Sequence, residues 1–384
     1  MKRIFLLLGC AALLVSCRTD ETIIPSTGTE VTPTIKPEKI KGFFLLNEGN
    51  MGSNKATLDY FDYETGVYTK NIYAERNPGV VKELGDVGND IQIYGDKLYA
   101  VINCSHFVEV MDVNTARHIT QISIPNCRYM AFKGRYAYVS SYAGPVVIDP
   151  NARLGYVARV DTVSMQVVDT CTVGYQPEEM AVVGDKLYVA NSGGYRVPNY
   201  DRTVSVIDLK EFKVIKTIDV GINLHHLELD HYDNLYVSSR GDYYTIPSKT
   251  FIIDTRTDRV TDTLNLLSNT NMTLAGDSLY MYSTEWSYVT NSNMVSYAIF
   301  DTRTRQTVTR NFITDGTEKM IKIPYGIAVN PETKEFFVTD AKDYVTPGTL
   351  YCFDSQGKKK WAVTTGDIPA HIVFTHKKLK SLNK

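Results

Sequence analysis

Aromatic and polar side chains recur in seven short segments spread along the chain, and their chemistry suits ligand binding. Tyr or Trp occurs in five of the seven segments, with Asn, Asp, Arg or Glu nearby. An aromatic ring offers a large apolar area with a directed hydroxyl or indole N–H, while amides and guanidinium groups fix a ligand's orientation. A large ligand rich in amides or hydroxyls would match this set. The candidate ligand-binding residues are Asn50, Asn103, His106, Tyr142, Tyr195, Arg196, Arg240, Asp242, Tyr243, Trp286 and Tyr344.

Catalysis is the competing chemistry, and the same segments supply acidic residues for it. A glycosidase needs two carboxylates about 5–10 Å apart. Glu48, Asp242, Glu285 and Asp343 are the candidates, but nothing in the sequence pairs them. A lactonase or redox enzyme would usually hold a metal or a quinone, and no Cys/His cluster has metal-ligand spacing. We therefore predict no catalytic residue, no metal, no cofactor and no enzymatic activity.

A repeat positions these segments, and each copy contains an apolar run that ends in Asp. Consecutive copies lie 46 to 53 residues apart, a period that is typical of a β-propeller when strand signals dominate. An Asp carboxylate can accept hydrogen bonds from backbone N–H groups two or so residues further on, so we expect these residues to shape turns. The seven residues are Asp62, Asp112, Asp161, Asp208, Asp254, Asp301 and Asp354.

Each repeat contains four strand-like runs joined by turns, which predicts a four-stranded antiparallel blade. The fourth repeat shows this best, with runs at 180–183, 186–190, 203–208 and 213–220. The final run, 370–374, resembles an innermost strand but follows the last blade. We expect it to pair with 42–46 and to close the ring. The fold class is therefore all-β: a seven-bladed propeller whose C-terminal strand is the innermost strand of the N-terminal blade.

The two faces of such a ring differ. Short turns lie on one face, whereas the loops between second and third strands, with the links between blades, form the loop-rich face that carries the candidate site. Because side chains alternate along a strand, we expect only one of His225 and His226 to face the central channel. Cys104 and Cys127 fall at the same rim and could form a disulfide, with free thiols as the alternative.

The N-terminal segment has the features of a targeting signal. Residues 1–16 read as a signal peptide, with Lys2 and Arg3 before an apolar run. The sequence up to Cys17 resembles the lipobox of bacterial lipoproteins, in which this Cys is lipidated. Residues 17–39, rich in Thr, Pro and Glu, read as a flexible tether, 40–376 as the propeller and 377–384 as a basic tail. We expect lipid anchoring at the outer membrane, exposed on the cell surface. The formal net charge of −2, without a basic patch, argues against a nucleic-acid partner.

The motifs around residues 185–191 and 203–208 make the chain similar to the YncE-like seven-bladed propellers. Together with the lipobox, the Asn47-Glu48-Gly49-Asn50 segment and the Tyr-rich loops, the chain also resembles the BtuG-type surface lipoproteins. That resemblance implies capture of vitamin B12 and related corrinoids, followed by transfer to a TonB-dependent outer-membrane barrel. It assigns no individual residue. A glycan-binding or glycan-processing propeller, and less so a metal- or quinone-dependent lactonase or oxidoreductase, remain the alternatives.

The lipobox predicts a covalent lipid on Cys17. Cells expressing the full chain should incorporate a labelled fatty acid into the protein, and Cys17→Ala should abolish the incorporation because the acceptor thiol is gone. Cys10→Ala, within the predicted signal peptide, is the matched control and should leave labelling intact. Labelling that survives in the Cys17→Ala variant would contradict the prediction.

Overall fold

The computed structural model describes residues 25–33, 39–80, 83–267, 270–287 and 292–380. The predicted signal peptide and Cys17 lie outside the described residues. Nearly all of the described secondary structure is β-strand, with one short α-helix, α1 (Ile72–Arg76), and one 3-10 turn, Thr317–Met320. Among the described residues, no helix has the length and apolar composition that crossing a bilayer would require.

The strands form seven antiparallel sheets, each one blade. Those of the first three blades are β1 (Thr27–Glu30), β2 (Gly42–Asn47), β3 (Thr57–Asp62), β4 (Val67–Lys70), β5 (Gly88–Tyr94), β6 (Lys97–Ile102), β7 (Phe107–Asp112), β8 (His118–Ser123), β9 (Cys127–Lys133), β10 (Tyr136–Ser141), β11 (Tyr156–Asp161) and β12 (Gln166–Thr172). The next two blades contain β13 (Pro177–Val183), β14 (Lys186–Asn191), β15 (Thr203–Asp208), β16 (Lys213–Asp219), β17 (Leu224–Leu229), β18 (Asn234–Ser239), β19 (Lys249–Asp254) and β20 (Arg259–Leu264). The last two blades and the closing strand are β21 (Asn271–Ala275), β22 (Ser278–Ser287), β23 (Ser292–Asp301), β24 (Gln306–Thr309), β25 (Pro324–Val329), β26 (Phe336–Asp340), β27 (Pro347–Phe353), β28 (Lys359–Asp367) and β29 (Pro369–Thr375).

The C-terminal strand closes the ring as predicted. β29 pairs with β2 along its whole length, from Gly42 opposite Thr375 to Asn47 opposite Pro369. It also lies beside β5 and β25, the innermost strands of the neighbouring blades. The predicted fold class, a closed seven-bladed propeller, is therefore confirmed.

Tyrosines in the second strands fill much of the space between blades. Tyr99, Tyr138, Tyr188 and Tyr236 are at most 2% exposed, and each follows an apolar residue in an alternating strand. The Tyr188 hydroxyl donates to the Thr255 carbonyl of the next blade at 3.1 Å. Burial of these large rings, at roughly 25 cal/mol per Å² of apolar surface, is the main force that holds one blade against the next.

The repeated Asp residues shape the turns between third and fourth strands, as the sequence predicted. In blade four, Asp208 Oδ1 accepts the N–H groups of Lys210 and Glu211, both at 2.9 Å. Equivalent contacts occur in blades one and seven at Asp62 and Asp354. These carboxylates stabilise the face opposite the loop-rich one.

Parts of the predicted tether and of the predicted basic tail pack against the ring. Within the predicted tether, β1 pairs with β4 and adds a fifth strand to the edge of blade one. Within the predicted basic tail, Leu379 is only 8% exposed and packs in the core between blades one and two. The Lys380 N–H donates to the Asn114 carbonyl at 2.7 Å. Apolar burial and edge pairing therefore override the polar composition of these two segments.

Of the two alternatives for Cys104 and Cys127, the structure shows free thiols and no disulfide. Cys104, Cys127, Cys171 and Cys352, the cysteines among the described residues, are all free. The Cys127 thiol is buried at the start of β9 and faces the carbonyls of Ile102 and Phe107. Cys104 Sγ instead lies 3.5 Å from the Asn103 side chain, so the two thiols are directed to different partners.

The docked tail gives a stability prediction. Leu379→Ala should lower the free energy of unfolding by about 2 kcal/mol, since truncating a buried Leu loses its transfer free energy and leaves a cavity. Denaturant unfolding measures the change. Leu154→Ala, at a residue that is 44% exposed, is the control and should change the free energy of unfolding by less than about 0.5 kcal/mol. Equal effects of the two substitutions would show that the tail contributes no packing.

Candidate functional site

The innermost strands begin irregularly at the loop-rich end of the channel. Six of the seven shift register against their second strand near their first residues. Such a bulge breaks the alternation of side chains. In β17 the shift falls between Leu224 and Leu227, and the rings of His225 and His226 lie 3.7 Å apart, both against Tyr129 across the channel. The prediction that only one of these histidines faces the channel is therefore wrong.

Polar residues of blades three, four and five meet at this end of the channel. They surround Glu178, whose side chain is fully buried. Arg128 donates from Nε and Nη2 to Glu178 Oε2, both at 3.1 Å, and the Tyr142 hydroxyl donates to Oε1. We call this group the channel cluster; its members are Arg128, Tyr129, Tyr142, Glu178, His225 and Arg240.

Arg240 connects the buried carboxylate to the histidine. Its Nη1 lies 3.4 Å from Glu178 Oε1, and its Nη2 donates to His225 Nε2 at 2.7 Å. The Tyr129 hydroxyl lies 2.8 Å from the same His225 nitrogen. Because a guanidinium can only donate, His225 Nε2 must be an acceptor, which places the proton of the neutral ring on Nδ1.

Burial and charge set the ionisation states of this cluster. Burial, the neighbouring Arg240 and then His226 hold the pKa of His225 well below its ordinary value, so the ring is neutral near pH 7. Burial alone would raise the pKa of Glu178, but Arg128 and Arg240 outweigh it and lower that pKa. The cluster therefore contains two guanidinium groups against one carboxylate.

A second polar group lies in blades one and seven. Glu48 accepts from the Tyr325 hydroxyl at 2.8 Å and contacts His371 Nε2 at 3.2 Å. The Tyr325 ring meets the Tyr344 ring edge to face at 6.0 Å. Tyr129 links the two groups, because its ring also lies 6.5 Å from His371.

Two loops on the rim share one construction. Asp242-Tyr243-Tyr244-Thr245 in blade five and Asp343-Tyr344-Val345-Thr346 in blade seven each place the first Tyr at a φ of 64°. A bulky residue in this left-handed region costs roughly 1–2 kcal/mol. Asp242 offsets that cost by accepting three backbone N–H groups at 2.7 to 2.9 Å and the Thr245 hydroxyl at 2.7 Å. The result is an exposed Tyr at a fixed position: Tyr243 is 65% and Tyr344 is 41% exposed.

The aspartates of these loops are held as carboxylates. Hydrogen bonds from the Ile246 N–H and then from the Thr245 hydroxyl lower the pKa of Asp242 to about 2. The Thr346 N–H and hydroxyl lower the pKa of Asp343 to about 2. Both carboxylates are engaged within their own loops, so they are unsuited to act as the protonated acid of a glycosidase.

A cleft opens beside the channel cluster. It has a volume of about 320 Å³, within the range of small-molecule sites. Tyr195 stands near its wall, with its ring 6.2 Å from that of Tyr142, and the Tyr195 N–H donates to Gln176 Oε1 at 2.7 Å. The lining residues are Tyr142, Gly144, Pro145, Val147, Asp149, Ala152, Arg153 and Gln176.

The structure brings together Tyr142 and Arg240 in the channel cluster, with Tyr195 and Tyr243 beside it. Asn103, His106 and Arg196 lie apart from this cluster and make contacts of their own. Asn103 is buried and donates to Asn126 and Cys127, while exposed His106 accepts from the Asn126 N–H at 3.0 Å. Arg196 stacks 3.5 Å over the Tyr175 ring.

Asn50 and Trp286 complete the predicted set. The Asn50 amide donates to the Tyr344 carbonyl and joins blades one and seven. Trp286 was expected in a loop, but its backbone belongs to β22, opposite Asn293. β22 and β23 have ten residues each, against four to nine in the other strands, so they form a long hairpin. The Trp286 side chain lies outside the described residues.

The candidate residues from the sequence did not include Arg128, Tyr129 or Glu178, because these three lie in innermost strands and the candidates were loop residues. A signal was present: the innermost runs of blades three to five each begin with a polar pair between apolar residues, as in Cys127-Arg128-Tyr129-Met130. The equivalent pairs are Glu178-Glu179 and His225-His226. Three such pairs at one position of a repeat point to the channel. Among the described residues, no group of three or more His, Cys, Asp or Glu could hold a metal ion.

A protein-family model described as "Domain of unknown function (DUF5074)" matches residues 41–375, which is the whole ring. No protein in the curated collection of characterised sequences matches.

Solved structures with the same fold share little sequence with this chain. A candidate 6-phosphogluconolactonase of Bacteroides fragilis has a TM-score of 0.61 at 12% identity, covering 88% of this chain and 100% of that one. A quinoprotein alcohol dehydrogenase-like protein of Bacteroides thetaiotaomicron has a TM-score of 0.56 at 14% identity, covering 88% and 79%. Hydrazine synthase of Kuenenia stuttgartiensis has a TM-score of 0.55 at 16% identity, covering 70% and 76%. At identities this low, the structural similarity establishes the propeller fold alone and assigns no activity to this chain.

The rim aspartates give a pH prediction. Their pKa of about 2 lies below the ordinary value near 4, so their loop contacts should be complete above about pH 4 and be lost as pH falls towards 2. Carboxyl NMR titration should give midpoints near 2 for Asp242 and Asp343, and Asp242→Asn should leave the midpoint of Asp343 unchanged. Midpoints near 4 would show that these loops are not held by their carboxylates.

Proposed function

The chain belongs to the DUF5074 family, and we propose that this member is a non-catalytic capture protein that binds a corrinoid, such as vitamin B12, on its loop-rich face. The proposal joins a chemical match between ligand and face with the resemblance to surface lipoproteins noted in the sequence. The family assignment covers residues 41–375 and so includes every loop of this face.

The exposed apolar surface carries the proposal. Ten large apolar side chains among the described residues project from loops on this face, in blades one, three, four, five and seven. Exposed apolar side chains that share the loops of one face make that face a candidate interaction surface. The ten residues are Met51, Val147, Ile148, Leu154, Val197, Tyr243, Tyr244, Ile246, Tyr344 and Val345.

A corrinoid fits this surface physically. It is a broad ligand with an apolar ring edge and many amide arms, so it needs apolar contacts interspersed with directed polar groups. Tyr243 and Tyr344, which are held in position by their loops, supply the apolar contacts. The partly exposed Arg240 and the cleft beside Gln176 supply the directed polar groups. A rigid rim loses little conformational entropy on binding, which favours high affinity.

The carboxylates of the channel cluster and of the two rim loops favour binding over catalysis. Glu178 is paired with two arginines, and Asp242 and Asp343 are engaged by their own loops. A general acid or base needs a pKa near the working pH, whereas the pKa values of these three carboxylates are held below their ordinary range.

The same proposal includes the cellular location of the protein and its partner. A lipid on Cys17 would hold the ring at the outer membrane, on the cell surface, and a TonB-dependent barrel would receive the captured ligand. A glycan-binding role shares the aromatic rim, so the binding experiment must separate the two ligand classes.

Titration of cyanocobalamin into the chain from residue 18 onward, which keeps every described strand, tests the proposal. We expect a sub-nanomolar Kd and about tenfold weaker binding for each of Tyr243→Ala and Tyr344→Ala, because truncating a central aromatic contact typically costs more than 1 kcal/mol. Tyr232→Ala is the matched control: Tyr232 is 39% exposed but lies in the turn between β17 and β18, on the opposite face.

Two results would reject the corrinoid assignment. One is the absence of heat or fluorescence quenching with micromolar cyanocobalamin. The other is retention of the same protein on a polysaccharide column without corrinoid affinity, which would favour the glycan-binding alternative.

A further inference from the structure

We propose that the channel cluster is an anion subsite, in which the Arg240 guanidinium binds a phosphate or carboxylate group of the ligand. This inference rests on the proposed function for the identity of the whole ligand. The subsite itself rests on the geometry around Arg240 and can be tested without a corrinoid.

The first observation is an imbalance of charge. Glu178 is the only carboxylate bound by Arg128 and Arg240 among the described residues, so this group carries one excess positive charge. The neighbouring Glu179 is directed elsewhere: its Oε2 accepts from the Leu227 N–H and contacts His226 Nδ1, both at 2.9 Å, rather than either arginine. His225 adds no charge, since burial and Arg240 hold its ring neutral.

The second observation is that the Arg240 guanidinium has more N–H donors than it has hydrogen-bond contacts among the described residues. A guanidinium carries five N–H groups in a planar fork, and only two contacts of Arg240 lie within hydrogen-bonding distance among the described residues, one of them a long 3.4 Å. Arg128, by contrast, directs two N–H groups to Glu178 and is 12% exposed, whereas the Arg240 side chain is 27% exposed. Arg240 is therefore the member that can reach a ligand.

The third observation is that Arg240 is held in place. His225 Nε2 fixes one end of the fork, and Glu178 fixes the other. Glu178 in turn is fixed by Tyr142, Ser192 and Arg128. A donor that is oriented before binding loses little entropy when the ligand arrives.

The position also places the subsite beneath the proposed rim. Tyr243 follows Arg240 by three positions in the same loop, and the cleft lined by Tyr142 and Gln176 adjoins the cluster. A ligand whose apolar body contacts Tyr243 could therefore direct an anionic arm towards Arg240. Guanidinium groups match phosphate and carboxylate oxygens through paired, charge-assisted hydrogen bonds.

A pair of related ligands tests this directly. Cyanocobalamin carries a phosphodiester, while cobinamide lacks the nucleotide arm and its phosphate. We expect Arg240→Gln to weaken cyanocobalamin binding by about 10- to 100-fold, as for the loss of a charge-assisted hydrogen bond, and to leave cobinamide binding unchanged. Equal losses for both ligands, or no loss for either, would overturn the proposal.

Two further variants control for effects on the fold. Arg256→Gln alters an exposed arginine of the same blade on the opposite face and should change neither affinity. Arg240→Lys keeps the charge but loses the planar fork, so it should keep the fold and lose part of the affinity. It also serves as the test variant if Arg240→Gln fails to fold.

Inorganic phosphate and acetate test the subsite in an experiment that does not depend on corrinoid binding. Either anion at millimolar concentration should raise the Tm of the wild-type protein and of Arg256→Gln, with no rise in Arg240→Gln, and the more effective anion identifies the preferred source. If neither corrinoid binds but an anion stabilises through Arg240, the corrinoid function fails and the subsite stands. The subsite is rejected if neither anion raises the Tm in an Arg240-dependent way and if Arg240→Gln weakens the binding of cyanocobalamin no more than that of cobinamide.

Discussion

The closure of the ring by β29 is the constraint on which the rest of the structure depends. β29 and β2 lie at opposite ends of the folded chain, and their pairing leaves no open edge on the inner side of blade one. Closure also fixes the seven innermost strands around a single channel. Contacts that cross the channel, such as Tyr129 with His225 and His371, exist only because the ring cannot widen.

The closed ring makes a buried charge tolerable at the centre of the loop-rich face. An isolated carboxylate in the position of Glu178 would cost several kcal/mol of desolvation free energy. Arg128 from blade three and Arg240 from blade five approach it from both sides, and Tyr142 and Ser192 complete its hydrogen bonds. This arrangement contributes little net stability, but it orients the polar groups that face the channel mouth.

The rim loops hold exposed aromatic rings in place. The Asp242 and Asp343 loops do so chiefly with local hydrogen bonds and a left-handed Tyr. In the Asp343 loop, Asn50 of blade one adds a hydrogen bond to the Tyr344 carbonyl. The two parts therefore divide the work: local loop chemistry positions the apolar contacts, and the packed ring positions the charged ones. Ligand specificity would require both.

The fold was readable from the sequence because it repeats. Asp62 and its six counterparts marked the turns, alternating strands marked the blades, and the unpaired run at 370–374 indicated how the ring closes. Local composition failed where tertiary contacts outweighed it. β1 gains its pairing from the edge of blade one, Leu379 gains its burial from a groove between two blades, and Trp286 lies in a hairpin longer than its neighbours.

In the candidate site, too, local sequence predicted some residues, and only tertiary contacts revealed the others. The loop residues Tyr243, Asp242 and Tyr344 were found from the sequence, because their turn chemistry is local. The channel cluster as a whole was not: the sequence predicted Tyr142 and Arg240 singly, but not their meeting with Arg128 and Glu178. These residues lie in three blades, and Arg128 and Arg240 are 112 positions apart. Strand alternation predicted one histidine in the channel, and the bulge placed two there. The sequence by itself determined the number of blades and the composition of the rim; only the tertiary structure decided which distant charges meet, because burial and ring closure act between residues that no local pattern connects.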